Sequence, residues 1–196
     1  MKKLAIFFPG IGYTVDKPLL HYSRKLVTDA GYEVKLLPYS GFPQKVKGDR
    51  DKMLESYRIA LAQSEEMLSD IDFSDYNSVL FVGKSIGTIV AAEIAAKNLT
   101  PVQSHFILYT PLEDTFKFPI GDAIVFTGSA DPWVKNGVIS DLCAERGIPC
   151  HVIQSGNHSL ETGNVQDDIE HLRKIMKKTE KYIRQFELHP VKKTVK

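Results

Sequence analysis

Six short strand-like runs, several of them almost continuously apolar, punctuate this chain at residues 4–8, 33–38, 78–82, 105–109, 123–127 and 150–153. Segments long enough to be helices separate them, spanning 16–30, 49–69, 86–97, 134–146 and 165–185. A strand that is apolar on both faces must be covered on both, and a parallel sheet between two layers of helices does that. Strict strand–helix alternation points the same way, because parallel neighbours need a long crossover connection. The reading is therefore α/β: a three-layer sandwich with a six-stranded, mostly parallel sheet flanked by helices. Gly31, and Gly147 followed by Pro149, mark helix ends just before strands. No repeat, low-complexity stretch or linker interrupts the 196 residues. Residues 1–188 read as one domain and the polar, basic residues 189–196 as a loose tail.

In such a sheet, sites form beyond the carboxyl ends of the strands. The loops that matter are then 9–14, 39–48, 83–87, 110–120, 128–133 and 155–164. One of them carries the sharpest signal, Gly83-Lys84-Ser85-Ile86-Gly87. It follows the apolar run Val79-Leu80-Phe81-Val82 and opens a helix-like segment of small and apolar residues. That is strand, tight turn, helix, with a serine at the apex. Such a turn strains the apex residue and leaves no room for side chains two positions to either side, where glycine stands. The hydroxyl then stands clear of the sheet beside the first amides of the next helix. This suits a nucleophile and the oxyanion it generates.

A serine needs a base, and the base needs an orienting group. Of six histidines, His21 and His171 fall within helices, His105 and His151 open strands at the wrong end of the sheet, and His189 is in the tail. His158, in the loop after the last strand, is the candidate base. Asp131 in Thr127-Gly128-Ser129-Ala130-Asp131-Pro132-Trp133 is the candidate acid, although an aspartate before proline also serves as a turn or N-cap residue. Glu113 and Asp114 are the fallback acids. For the oxyanion, one amide should be that of Ile86, and the second should come from Pro9-Gly10-Ile11-Gly12, with Ile11 the candidate. Candidate substrate-binding residues are Gly10, Gly12, Tyr13, Lys84, Leu112 and Trp133. Tyr39, Phe42, Pro43 and Phe116 are further wall candidates, and Phe118 reads as core. Lys84, Lys45, Lys47 and Lys117 read as solvated surface lysines that an anionic substrate would also suit.

The bulk numbers exclude other classes. A net charge of +1 gives no electrostatic reason to expect nucleic acid or a membrane surface as partner. Cys143 and Cys150 lack both a disulfide framework and metal-ligand spacing, and read as reduced thiols of a cytoplasmic protein. The first apolar run ends at Pro9-Gly10, too early for a signal-peptide core or a membrane span. Gly83-Lys84-Ser85 has the tail of a phosphate-binding loop, but the glycine that pattern needs at position 78 is Ser78. Gly10 and Gly12 begin a dinucleotide fingerprint whose third glycine is Val15. The expectation is no metal and no cofactor.

The chain order Ser85, Asp131, His158, with the elbow after a strand, resembles the α/β-hydrolase superfamily over nearly the whole chain. Against that family's eight-stranded sheet, this chain is similar to a compact member that begins at the third strand. Its segment 110–120 is too short for the helical lid many relatives insert, as in small dienelactone-hydrolase-like and esterase-like proteins. Pro9 stands where the common lipase and esterase pattern has histidine. The resemblance implies a serine hydrolase that cleaves an ester-like bond of a small or medium acyl substrate, acting as a monomer or homodimer. The alternatives are a thioesterase or small peptidase on the same three residues, or a non-catalytic binding protein on this fold.

Overall fold

The computed structural model describes residues 2–100 and 103–188; the expected tail at 189–196 lies outside the described residues. Its strands are β1 (Lys3–Phe8), β2 (Glu33–Leu36), β3 (Ser78–Lys84), β4 (Ser104–Tyr109), β5 (Asp122–Gly128) and β6 (Cys150–Ile153). They form one sheet in the order β2-β1-β3-β4-β5-β6. All five pairings are parallel, so the sheet is parallel throughout rather than mostly so. The helices are α1 (Pro18–Asp29), α2 (Arg50–Met67), α3 (Ile86–Asn98), α4 (Val138–Glu145) and α5 (Val165–Leu188). No helix among the described residues is long and apolar enough to cross a membrane.

Successive strand residues point to opposite faces, and both faces are apolar. Ile6 and Phe8 of β1, Phe81 of β3 and Phe106 of β4 pack with Ala60 of α2, Val90 and Ile94 of α3 and Ile139 of α4. Phe7, Leu80, Val82 and Ile107 face the other way, with Leu20 and Val27 of α1 and Ile175 and Ile183 of α5. The result is three layers. Tyr109 is fully buried in the second core, and its hydroxyl hydrogen-bonds Ser23 Oγ of α1 (2.9 Å) and Thr179 Oγ1 of α5 (2.8 Å), tying both helices to β4.

Several element ends differ from the sequence reading: β3 runs on through Gly83 to Lys84, α1 starts at Pro18 rather than 16, α2 ends at Met67 rather than 69, and α5 reaches Leu188 rather than 185. β2 stops at Leu36 instead of residue 38, since Pro38 has no amide to give the ladder. The Leu37 amide still donates to Phe7 O at 3.2 Å. The fourth helix begins at Val138 and not at 134, because Gly137 adopts φ 89° and breaks any earlier helical run.

The chain first builds outward from β1 to β2, then crosses back to β3 and continues to β6. The loops after β1 and β3 therefore leave in opposite directions, and the crevice between them is the switch point at which open parallel sheets hold their sites.

Candidate active site

The elbow sits at this switch point. Ser85 takes φ 56° and ψ −127°, a conformation that costs a non-glycine residue on the order of 1–3 kcal/mol. Its surroundings hold it there. The Ser85 amide donates to Tyr109 O (3.0 Å), and its carbonyl accepts from the Thr88 amide (2.9 Å) and Thr88 Oγ1 (2.6 Å). The flanking glycines are required by close approach to other parts of the chain. A Cβ on Gly83 would lie 2.9 Å from Thr88 Cα, and one on Gly87 would lie 2.2 Å from Phe8 O. That second contact brings the loop after β1 against the elbow.

The structure brings Ser85, His158 and Asp131 together from three loops. His158 Nε2 lies 2.7 Å from Ser85 Oγ, and Nδ1 lies 2.7 Å from Asp131 Oδ2. A carboxylate only accepts, so Nδ1 carries the proton and Nε2 is left free to accept from the serine hydroxyl. Asp131 Oδ1 accepts from the Trp133 amide at 2.9 Å, and its side chain is fully buried. The turn role and the histidine-orienting role thus fall to the two oxygens of one carboxylate. The fallback acids lie elsewhere: Glu113 and Asp114 are exposed on a 3₁₀ turn, and Asp114 pairs with Lys117. Burial holds the imidazole below its ordinary pKa; the bond to Asp131 opposes this, and the charge of Lys84 adds to it. The imidazole is therefore neutral, and so competent as a base, to a lower pH than a free histidine.

Two loops are locked to each other beneath these side chains. The Ser129 amide donates to Ile153 O (3.0 Å), the Ala130 amide to Gly156 O (3.0 Å), and the Ser155 amide to Ser129 Oγ (2.8 Å). Thr110 Oγ1, at the end of β4, donates to the His158 carbonyl (3.1 Å). None of these supporting residues stands out in the sequence, because each acts on a backbone group of a distant segment.

Ile86 opens α3, where first-turn amides have no intrahelical acceptor. The loop after β1 is a tight turn closed by Gly10 and Tyr13, whose amides and carbonyls bond each other (3.1 and 3.3 Å). That pairing uses the amides of Gly10 and Tyr13, while among the described residues the Ile11 amide meets no backbone acceptor. A Cβ on Gly10 would lie 3.1 Å from Ser85 Cβ, so this turn borders Ser85 directly.

The expected substrate-binding residues fare differently. Trp133 lies against the imidazole, ring centroids 5.4 Å apart. Tyr13 and Leu112 are buried. Tyr39 and Phe42 pack against the first core, and Tyr39 bonds Ser64 of α2. Lys84 is no surface lysine. It is 1% exposed, with Nζ 4.9 Å from the Tyr13 ring centroid. Burial pushes its pKa down to about 7, against the opposing pull of Asp131 and Glu161. Gly10 and Gly12 belong to the turn described above.

Ile86 also lines a cleft of about 330 Å³, with Met53, Leu54, Tyr57, Ile89 and Phe118. Phe118, expected in the core, is half-exposed there. Arg50 and the Asp114–Lys117 pair stand at the same cleft. The contribution of α2 escaped the sequence reading. Its signal was the small-residue stripe Ser56, Ala60, Ser64, which α2 buries and which leaves bulkier Met53 and Leu54 for another surface, with Tyr57 shared between the first core and the cleft. Among the described residues no group of three or more His, Cys, Asp or Glu could hold a metal ion.

A parallel sheet of this order, a serine at a left-handed elbow after β3, and the chain order serine, aspartate, histidine define an α/β-hydrolase fold. Solved structures agree. Est1E from Butyrivibrio proteoclasticus superposes with a TM-score of 0.67 at 10% identity, covering 96% of this chain and 89% of that one. A protein of unknown function from Agrobacterium tumefaciens gives 0.65 at 15%, covering 98% and 89%. The Pyrococcus furiosus esterase Pf2001 gives 0.58 at 12%, covering 93% and 83%. No protein-family model and no curated protein matches the chain. At these identities the likeness is one of fold.

Proposed function

We propose that this protein is a serine hydrolase that cleaves an ester-like bond of a small or medium acyl substrate through an acyl-enzyme on Ser85. The observation that carries the reading is the His158 imidazole bridging Ser85 Oγ and Asp131 Oδ2 at 2.7 Å on each side. In this mechanism His158 takes the Ser85 proton as the hydroxyl attacks the acyl carbonyl. Asp131 keeps the imidazole in the required tautomer and stabilises its charged form. The amides of Ile86 and Ile11 hold the oxyanion. The imidazolium then protonates the departing alcohol, and water repeats the cycle on the acyl-enzyme. Ile86 joins the oxyanion site to the apolar cleft, whose size suits a medium acyl chain and whose openness needs no lid. The esterase among the fold neighbours is in keeping with this class.

The test is labelling with a fluorophosphonate. The wild type should be modified at Ser85, and Ser85→Ala and His158→Ala should not be. Ester, thioester and amide substrates carrying the same acyl group then rank the preferred bond. A wild-type protein left unmodified at Ser85 would falsify the proposal.

A further inference from the structure

The residue that the elbow chemistry leaves unexplained is Lys84. It is the last residue of β3, directly before the nucleophile, and ranks among the largest fully buried side chains. Among the described residues its ammonium makes no hydrogen bond and no ion pair; its one direct partner is the face of Tyr13. An ammonium in that position is costly to fold, and an apolar side chain of the same length would be stable there. Its position in the strand sends it to the α1/α5 face, beneath Tyr13 of the first loop and close to Glu161, which follows His158 by three residues. It is 1% exposed and lies under Tyr13, so little of the ammonium is open to an anionic substrate.

We propose that Lys84 is a positioning residue of the candidate active site: its buried ammonium, held behind the elbow under Tyr13, keeps the His158 imidazole neutral and ready to accept the Ser85 proton. The inference rests on the serine-hydrolase reading above. Asp131 favours the imidazolium, which is useful once the proton has moved but would trap the base in its charged form beforehand. A positive charge on the other side offsets that bias. The charged groups facing His158 are Asp131 from the loop after β5, Lys84 from β3 and Lys47 from the loop before α2. Those facing Lys84 are Asp131 and Glu161, with the neutral phenol of Tyr13 over it. Burial brings the Lys84 pKa down to about 7 and holds that of His158 below its ordinary value of 6.5, so on acidification the lysine takes up its proton before the histidine does. Lys47 is exposed, and solvent and salt weaken its influence.

Without the ammonium, His158 protonates at higher pH, and reactivity is lost earlier on acidification. The rate of Ser85 modification by a fluorophosphonate, followed from pH 5 to 9, reads this directly. For Lys84→Met the ratio of the rate at pH 6 to that at pH 8 should fall about three- to tenfold below the wild-type ratio. Lys84→Arg, which stays charged, should keep the ratio within about twofold. Lys47→Met should move it less than Lys84→Met. Titration of His158 by NMR on protein with 13Cε1-labelled histidine should show the same upward displacement in Lys84→Met. That measurement needs no reaction, so a protein unreactive to the reagent but displaced in the titration would sink the hydrolase reading, and with it the catalytic purpose of Lys84, while upholding its influence on the His158 proton. An unmoved ratio and an unmoved titration in Lys84→Met would overturn the inference. Failure of both Lys84→Met and Lys84→Gln to fold would overturn it too, by making the lysine a structural plug.

Discussion

Gly128 closes β5 and presents no side chain to the site, yet its replacement by alanine should disable the site. A Cβ there would lie 2.1 Å from Gly156 O and 2.7 Å from Asn157 O. Ordinary contact starts at 3.4 Å, so the two backbones must part by more than an ångström. Gly128 is not at positive φ, which removes conformational strain as a cause and leaves the clash alone. The parting segments are those that present Asp131 and His158, and they are held by the Ser129–Ile153 and Ala130–Gly156 backbone bonds. Overpacking together with weakening of those bonds should cost about 2–4 kcal/mol, or roughly 5–15 °C in Tm for a chain of this size. A displacement of about 1 Å between catalytic groups typically costs on the order of a hundredfold in rate. The assay is paired: thermal unfolding by circular dichroism, and the second-order rate of fluorophosphonate modification at pH 8. Gly147→Ala is the control, since it meets nothing within 4 Å and sits at φ 65° beyond α4. It should lose about 1 kcal/mol of stability without any change in rate. A Gly128→Ala protein with wild-type Tm and wild-type reactivity would refute the claim that close approach of these loops aligns the acid with the base.

Asp131→Asn leaves the shape intact but offers an amide to His158 Nδ1, so the wrong tautomer is stabilised; modification of Ser85 should slow by about 10⁴-fold, with the pH 8 rate as the measurement. Ile89→Trp should fill the cleft beside Ile86, reducing kcat/KM for octanoyl esters at least tenfold while sparing acetyl esters; equal loss for both chain lengths would place the acyl group elsewhere. Tyr109→Phe leaves the buried Thr179 hydroxyl without its hydrogen-bond partner and Ser23 with only its bond to Leu19 O, and should lower stability by about 1–3 kcal/mol with reactivity at pH 8 unchanged; denaturant titration beside the labelling rate checks both halves.

The layered architecture was legible in the chain because its cause is local and repeated. Phe7 and Ile6, or Leu80 and Phe81, are adjacent in sequence and face opposite cores, so a strand buried on both sides announces itself as an unbroken apolar run. The elbow was legible for a similar reason: Gly83 and Gly87 bracket a serine whose backbone tolerates few alternatives. Element ends were less so. α4 starts late because one glycine turns left-handed, and the sequence does not say which of its glycines will do this.

What sequence alone determined about this protein is which residues could act and on which end of the sheet they stand; strand direction and loop order set both. Tertiary structure decided the rest. Asp131 rather than Glu113 or Asp114 meets the imidazole because the loops after β5 and β6 interlock through backbone bonds, and no side-chain pattern records those. Lys84 is buried because Tyr13, seventy-one positions earlier in the chain, folds over it, and the cleft has a wall because α2 packs its small residues inward. Burial is a property of the neighbours a residue acquires, and for these positions every decisive neighbour is remote in sequence.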